Sequence, residues 1–201
     1  DMIRAKAKYA RDVKDVMPVE LGNPLVEWKK AIHPILFKSL QKEKRKVVPL
    51  DIRLDNKSRI LVISGPNAGG KSVCLKTVGL LQYMVQCGFL VPMDPDSKVG
   101  VFNRIFIDIG DEQSIDNDLS TYSSHLLNMK YFTRNADVGT LLLIDEFGTG
   151  TEPALGGAIA EAILDKINKQ LVWGVITTHY SNLKHFAAEA DGIENGAMLF
   201  D

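Results

Sequence analysis

Residues 59–72 read RILVISGPNAGGKS, and the order of residue types in this stretch decides the fold. A short apolar run, Arg59 to Ser64, is bounded by a glycine and reads as a buried strand. The next eight residues, Gly65-Pro66-Asn67-Ala68-Gly69-Gly70-Lys71-Ser72, fit the spacing G-x-x-x-x-G-K-[ST], and helical periodicity begins near Lys71. Strand, glycine-rich loop and helix in that order form a phosphate cradle. Glycines let successive backbone N–H groups turn inward, and the helix N-terminus adds partial positive charge. Lys71 then reaches the β- and γ-phosphates of a nucleotide, and the Ser72 hydroxyl takes one position on Mg²⁺. The nucleotide-binding segment is expected to run from Gly65 through Val73.

Working outward, β-rich runs alternate with helical patterns from Val47 onward: VVPLDIRL, RILVISG, VFNRIFIDI, TLLLIDE and WGVITTH. Such alternation predicts an α/β sheet. The apolar strands before Gly65, Asp145 and His179 are expected to be parallel and buried on both faces, with the chemistry at their C-terminal ends. Leu141 to Ile144 leads directly into Asp145 and Glu146, two carboxylates at the edge of a core that a bound metal would explain, the alternative being ordinary strand-end polar residues. Asp145 is assigned to the Mg²⁺ and its water network, and Glu146 to the base that accepts a proton from attacking water. His179, after Val175-Ile176-Thr177-Thr178, is a candidate γ-phosphate sensor or water-orienting group. The catalytic set is therefore Glu146, His179 and Lys71.

The remainder is less informative. Ile3, Ala7, Ala10, Val13 and Met17 predict an amphipathic helix ending before Pro18. Leu21 to Pro34 contains Gly22, Asn23, Pro24 and Pro34 and is expected to be mostly irregular. Gln41 to Lys46, QKEKRK, reads as a solvated loop, with nucleic-acid contact as the alternative. His33, His125 and His185 are expected to be structural or on the surface. GAMLFD at the end reads as a strand that stops before its partner arrives, so the sequence is expected to be a piece of a longer chain at both ends.

In 201 residues with 45% hydrophobic content there is material for a substantial core, and 24 Lys and Arg balance 25 Asp and Glu. No whole-domain field then draws the chain to phosphate backbones or anionic membranes. The two cysteines, Cys74 and Cys87, have no neighbouring metal-ligand spacing, and no signal pattern opens the chain. A cytoplasmic setting is expected. The apolar runs are far shorter than the roughly 20 residues needed to cross a bilayer.

Together, GPNAGGKS, LSTYSSH, LLLIDEFGTGTEP and TTHY resemble the ATPase domain of MutS proteins, within the ABC-type class of P-loop NTPases, from about Ala31 to Asp201. GDEQSIDNDLSTYSSHLLN and DEFGTGTEPALGGAIAEAIL are more similar to the second bacterial MutS type, whose members carry a C-terminal Smr nuclease domain. Mismatch-repair members usually show a GRSTF-like segment and DEIGRGTST instead. The resemblance implies an ABC-type sheet with flanking helices and an antiparallel β portion. It implies a helix left from a preceding core or lever domain at 1–20, followed by the ATPase domain at 21–201, truncated at its C-terminus.

It further implies that Ser120 and Thr121 form a signature segment meeting the γ-phosphate bound by a second protomer, so that each ATP is sandwiched in a homodimer. From the sequence alone, the Ser120 hydroxyl also suits the start of a helix. By the same resemblance, Asp111 and Gln113 fall in a glutamine-containing loop, and Phe147 to Glu152 form a D-loop at the dimer interface. ATP-driven dimerisation would govern engagement of DNA structures or ribosomes, and control of recombination, through regions mostly outside this chain. The alternative is a nucleotide-controlled dimerisation module with negligible turnover. A transporter subunit is disfavoured because Leu119 to His125 lacks an LSGGQ-like segment. A GTPase is disfavoured because Asn168-Lys169-Gln170-Leu171 lacks the guanine-reading aspartate.

Overall fold

The computed structural model describes residues 1–13, 16–65, 70–110 and 118–198, with backbone alone at 12, 13 and 118–122. In chain order the elements are α1 (Met2–Val13), β1 (Val19–Leu21), β2 (Val26–Ala31), α2 (Pro34–Lys42), β3 (Leu50–Leu54), β4 (Ser58–Ser64) and α3 (Lys71–Gln86). There follow β5 (Lys98–Gly100), β6 (Arg104–Asp108), α4 (Asp118–Asn135), β7 (Thr140–Ile144), α5 (Pro153–Lys169), β8 (Trp173–Thr178), α6 (Ser181–Glu189) and β9 (Gly192–Ala197). They divide into two compact units, Asp1–Asp55 with Lys76–Val101, and Asn56–Leu75 with Phe102–Asp201.

The second unit is built on a five-stranded sheet of order β6-β7-β8-β4-β9, with every neighbouring pair parallel. Its strand sequences explain the order. Every residue of β7, TLLLI, and of β8, WGVITT, is buried, as befits inner strands covered on both faces. The edge strand β9, GIENGA, buries only Gly192 and Ile193. Ile60, Val62, Leu142, Ile144 and Ile176 from the sheet share one apolar cluster with Met129 and Phe132 of α4, Leu164 of α5 and Leu183 of α6. Full burial of each such side chain is worth about 1.5–3 kcal/mol, so packing rather than helix propensity holds these helices to the sheet.

The first unit has a four-stranded mixed sheet of order β1-β5-β2-β3. β2 pairs antiparallel with both β3 and β5, and β1 pairs parallel with β5. Here the sequence expectation needs correction. The stretch from Leu21 to Pro34 is not mostly irregular: Val26, Trp28 and Ala31 are buried in a strand whose V-E-W-K alternation has the period of 2 that a half-buried strand requires. The turn residues Gly22, Asn23 and Pro24 mark only its entry.

The N-terminal helix also stops earlier than expected. Its described residues are Met2–Val13, Val16 already forms an antiparallel bridge to Val91, and Met17 is exposed. The last described strand, β9, covers GIENGA and lies parallel to β4, with Ser64 opposite Ala197; of the GAMLFD stretch, residues 199–201 lie outside the described residues. Among the described residues no helix is long and apolar enough to cross a membrane.

Candidate functional site

Parallel register brings three strand ends together. Ser64 at the end of β4 lies opposite Thr178 of β8, and Ile144 at the end of β7 lies opposite Ile176. Gly65, Asp145 with Glu146, and His179 therefore emerge along one edge of the sheet, at the C-terminal ends where open parallel sheets bind ligands.

Gly65 leaves β4 at φ +135°, a conformation open to glycine, and Gly70 enters α3 at φ +81°. Pro66, Asn67, Ala68 and Gly69 lie outside the described residues. Lys71 opens α3, and its side chain is buried although it carries the charge of an ammonium group. Its Nζ donates to the Gly65 carbonyl and stands 3.4 Å from His179 Nε2. Desolvation pushes the Lys71 pKa down and Lys184 adds to this, while Asp145 and Glu146 hold it up. A buried cation at a helix N-terminus, within electrostatic reach of two carboxylates, is a charge arrangement that suits an anion. Ser72 is half-buried beside it, and Val73 is exposed.

Thr177, in the middle of this edge, ties the acidic pair to β8. Its hydroxyl donates to Asp145 Oδ1 and accepts from the Glu146 N–H at 2.9 Å. Glu146 itself is left-handed, at φ +49°, which costs a non-glycine residue roughly 1–3 kcal/mol and persists only where the surroundings enforce it. The enforcing bonds are visible: Phe147 N–H donates to the Thr177 carbonyl at 2.8 Å, and the Thr149 hydroxyl donates to the Glu146 carbonyl at 2.8 Å. They bring Glu146 Oε1 to 4.0 Å from His179 Nε2.

The turn after Glu146 is shaped for close approach. Gly148 and Gly150 have φ +91° and +96°, and the Tyr180 hydroxyl donates to the Gly148 carbonyl at 3.0 Å. Gly156 of α5 has no room for a side chain, since a Cβ there would lie 2.6 Å from the Gly148 carbonyl oxygen. Glu152 caps α5, accepting from the N–H groups of Ala154 and Leu155 at 3.3 Å each, ahead of Pro153.

Lys71, Asp145, Glu146 and His179 are thus brought together. The side chains of Ser120 and Thr121, in the first turn of α4, lie outside the described residues, as do Asp111 and Gln113. Sequence reasoning missed Thr177 and Tyr180, although both lie within two residues of His179 in the TTHY string. His125, expected to be structural or on the surface, has its Nδ1 2.7 Å from Asp108 Oδ2. A third histidine with a clear duty is His33, whose Nδ1 accepts from Leu36 N–H at 3.2 Å and caps α2.

A phosphate loop between a parallel strand and a helix, set beside an acidic strand end, defines a P-loop ATPase domain. Residues 61–200 match the family model for MutS domain V. The chain belongs to the MutS family, as its ATPase domain. It is similar along its whole length to proteins named endonuclease MutS2: 44% identical to that of Carboxydothermus hydrogenoformans, and 45% identical to those of Finegoldia magna and Lactiplantibacillus plantarum. In each case the match takes in 100% of this chain and 25% of the relative. The chain spans about a quarter of the length of these relatives.

Proposed function

We propose that this domain binds Mg-ATP through residues 65–73 and hydrolyses it with Glu146 as general base, in an ABC-type arrangement completed by a second copy. The observation that carries this reading is the buried Lys71, 1% exposed, at the end of β4 beside Asp145, Glu146 and His179. The donor set suits the ligand: glycine backbone and an ammonium for phosphate oxygens, and a hydroxyl and a carboxylate for a hard cation.

In this reading Lys71 holds the β- and γ-phosphates as a point charge. Glu146 takes a proton from water as the water oxygen bonds to the γ-phosphorus and the bond to the ADP oxygen breaks. His179 orients that water and the γ-phosphate, being near both Lys71 and Glu146. Thr177 keeps the carboxylates apart in their two roles, Asp145 toward the cation with Ser72, and Glu146 toward water. Mg²⁺, when bound, neutralises charge on the phosphates.

Ser120 and Thr121 of one copy are assigned to the γ-phosphate of the other, with the turn from Phe147 to Glu152 at the interface. The relatives' name, endonuclease MutS2, supports DNA as the target that ATP-dependent dimerisation controls through other regions, in the cytoplasm; a ribosome is the other target considered. The test is a pair of variants. Lys71→Ala should lose nucleotide affinity, whereas Glu146→Gln should keep ATP binding and lose roughly 10²–10⁴ in turnover. Unchanged turnover in Glu146→Gln would sink the assigned hydrolytic mechanism, and negligible turnover in the unaltered chain would leave a nucleotide-controlled dimerisation module. If the site is shared, turnover per subunit rises with protein concentration in the unaltered chain; a flat dependence argues against the shared site.

A further inference from the structure

Beyond the phosphate site, the described residues of the second unit include one buried charged group that the proposed chemistry does not use. Asp108 ends β6 and is only 7% exposed. Both of its carboxylate oxygens are taken up by α4: Oδ2 by His125 Nδ1 at 2.7 Å, and Oδ1 by the Asn128 amide at 2.9 Å. Its main-chain carbonyl accepts the Asp145 N–H at 2.9 Å. One residue is therefore bonded through its side chain to α4 and through its backbone to the acidic strand end.

The surroundings sharpen the point. Asp108, His125, Asp145 and Glu146 line a single small cavity of about 30 Å³, together with Ile144 and Ala160. Farther along, α4 is already fixed by Met129 and Phe132 in the apolar core. A helix held only for packing needs no ionisable partner, and a buried carboxylate with unmatched oxygens is costly. Here a carboxylate, an imidazole and an amide are matched atom for atom, one or two turns from Ser120 and Thr121 on the same helix.

We propose that Asp108, His125 and Asn128 are positioning residues for hydrolysis. They lock the N-terminal half of α4 to the backbone of Asp145, so that the rate of ATP cleavage depends on them while ATP affinity does not. This rests on the ATPase reading above, and the experiment separates the two.

Turnover and ATP affinity are measured in purified protein carrying His125→Leu, His125→Asn or Asp108→Ala, together with amide hydrogen exchange. Asparagine keeps a donor in place of Nδ1; leucine does not. The expected result is that His125→Leu and Asp108→Ala lower kcat by roughly 10- to 100-fold, with ATP affinity within about twofold, and that His125→Asn recovers most of the loss. In the same variants without nucleotide, amides at 123–128 should exchange about tenfold faster in His125→Leu and Asp108→Ala, while those of α5 do not change, with His125→Asn again restoring protection. Wild-type kcat in His125→Leu overturns the proposal. So does a matching fall in kcat and affinity that asparagine fails to rescue, which marks a role in folding only. If the unaltered protein does not hydrolyse ATP, the ATPase reading fails. Exchange then decides alone: local loosening rescued by asparagine retains the lock on α4 but removes its role in hydrolysis, and unchanged exchange removes the lock as well.

Discussion

Thr177 shows how a single hydroxyl can set the geometry of two carboxylates. It donates to Asp145 and accepts from the Glu146 N–H, so Thr177→Val, nearly the same in shape, removes both bonds. The expected cost is about 1–3 kcal/mol of stability by thermal or denaturant unfolding, with a larger fall in kcat than in ATP affinity; an unaltered kcat would remove Thr177 from the account of the site. Lys71 offers a test by pH. Burial first, then Lys184, lowers its pKa, so in the free protein its charge is lost below the ordinary lysine range. Phosphate favours the charged form, so ATP affinity should hold near neutrality and decline as pH rises through that lowered value, with proton uptake on binding in the same window. Calorimetry in buffers of different ionisation enthalpy reads this directly, and proton release there would contradict the sign.

At the level of elements, the turn from Phe147 to Glu152 and the start of α5 are a matched pair. Alanine in place of a helical glycine ordinarily gains roughly 1 kcal/mol, but at Gly156 the new Cβ would meet the Gly148 carbonyl at 2.6 Å and the Tyr180 hydroxyl at 2.8 Å. Gly156→Ala is therefore expected to destabilise by about 1–3 kcal/mol and to slow turnover by shifting the turn after Glu146; a raised melting temperature would refute this. Elements like these also mark what was readable beforehand. The strand before Gly65, the acidic strand and the strand before His179 were legible because buried parallel strands are continuous apolar runs ending in polar residues. β2 was hidden because Gly22, Asn23 and Pro24 drew the reading toward a loop, although its burial alternates as a half-exposed strand should. His125 was not legible at all. Its partner Asp108 comes from another strand, and no local spacing announces a bond between residues brought together only by the sheet.

Across the whole chain, each unit holds one of the two thiols. Cys74, in α3, is buried and its pKa is pushed up to about 12 by desolvation. Cys87 is exposed. A chromogenic thiol reagent should therefore label one group quickly in the native protein and the second only on unfolding; rapid reaction of both would mean that the start of α3 opens readily. The sheet order has a temporal consequence too. β4, which carries the phosphate loop, pairs on one side with β8 and on the other with β9, both more than a hundred residues further along the chain. At roughly 5–20 residues per second, a ribosome takes on the order of 6–20 s to deliver the first of them. Throughout that interval Ile60, Val62 and Ile63 form a nascent apolar strand with neither neighbour yet made, so the segment leading into Gly65 is one that a chaperone's shelter would protect during synthesis.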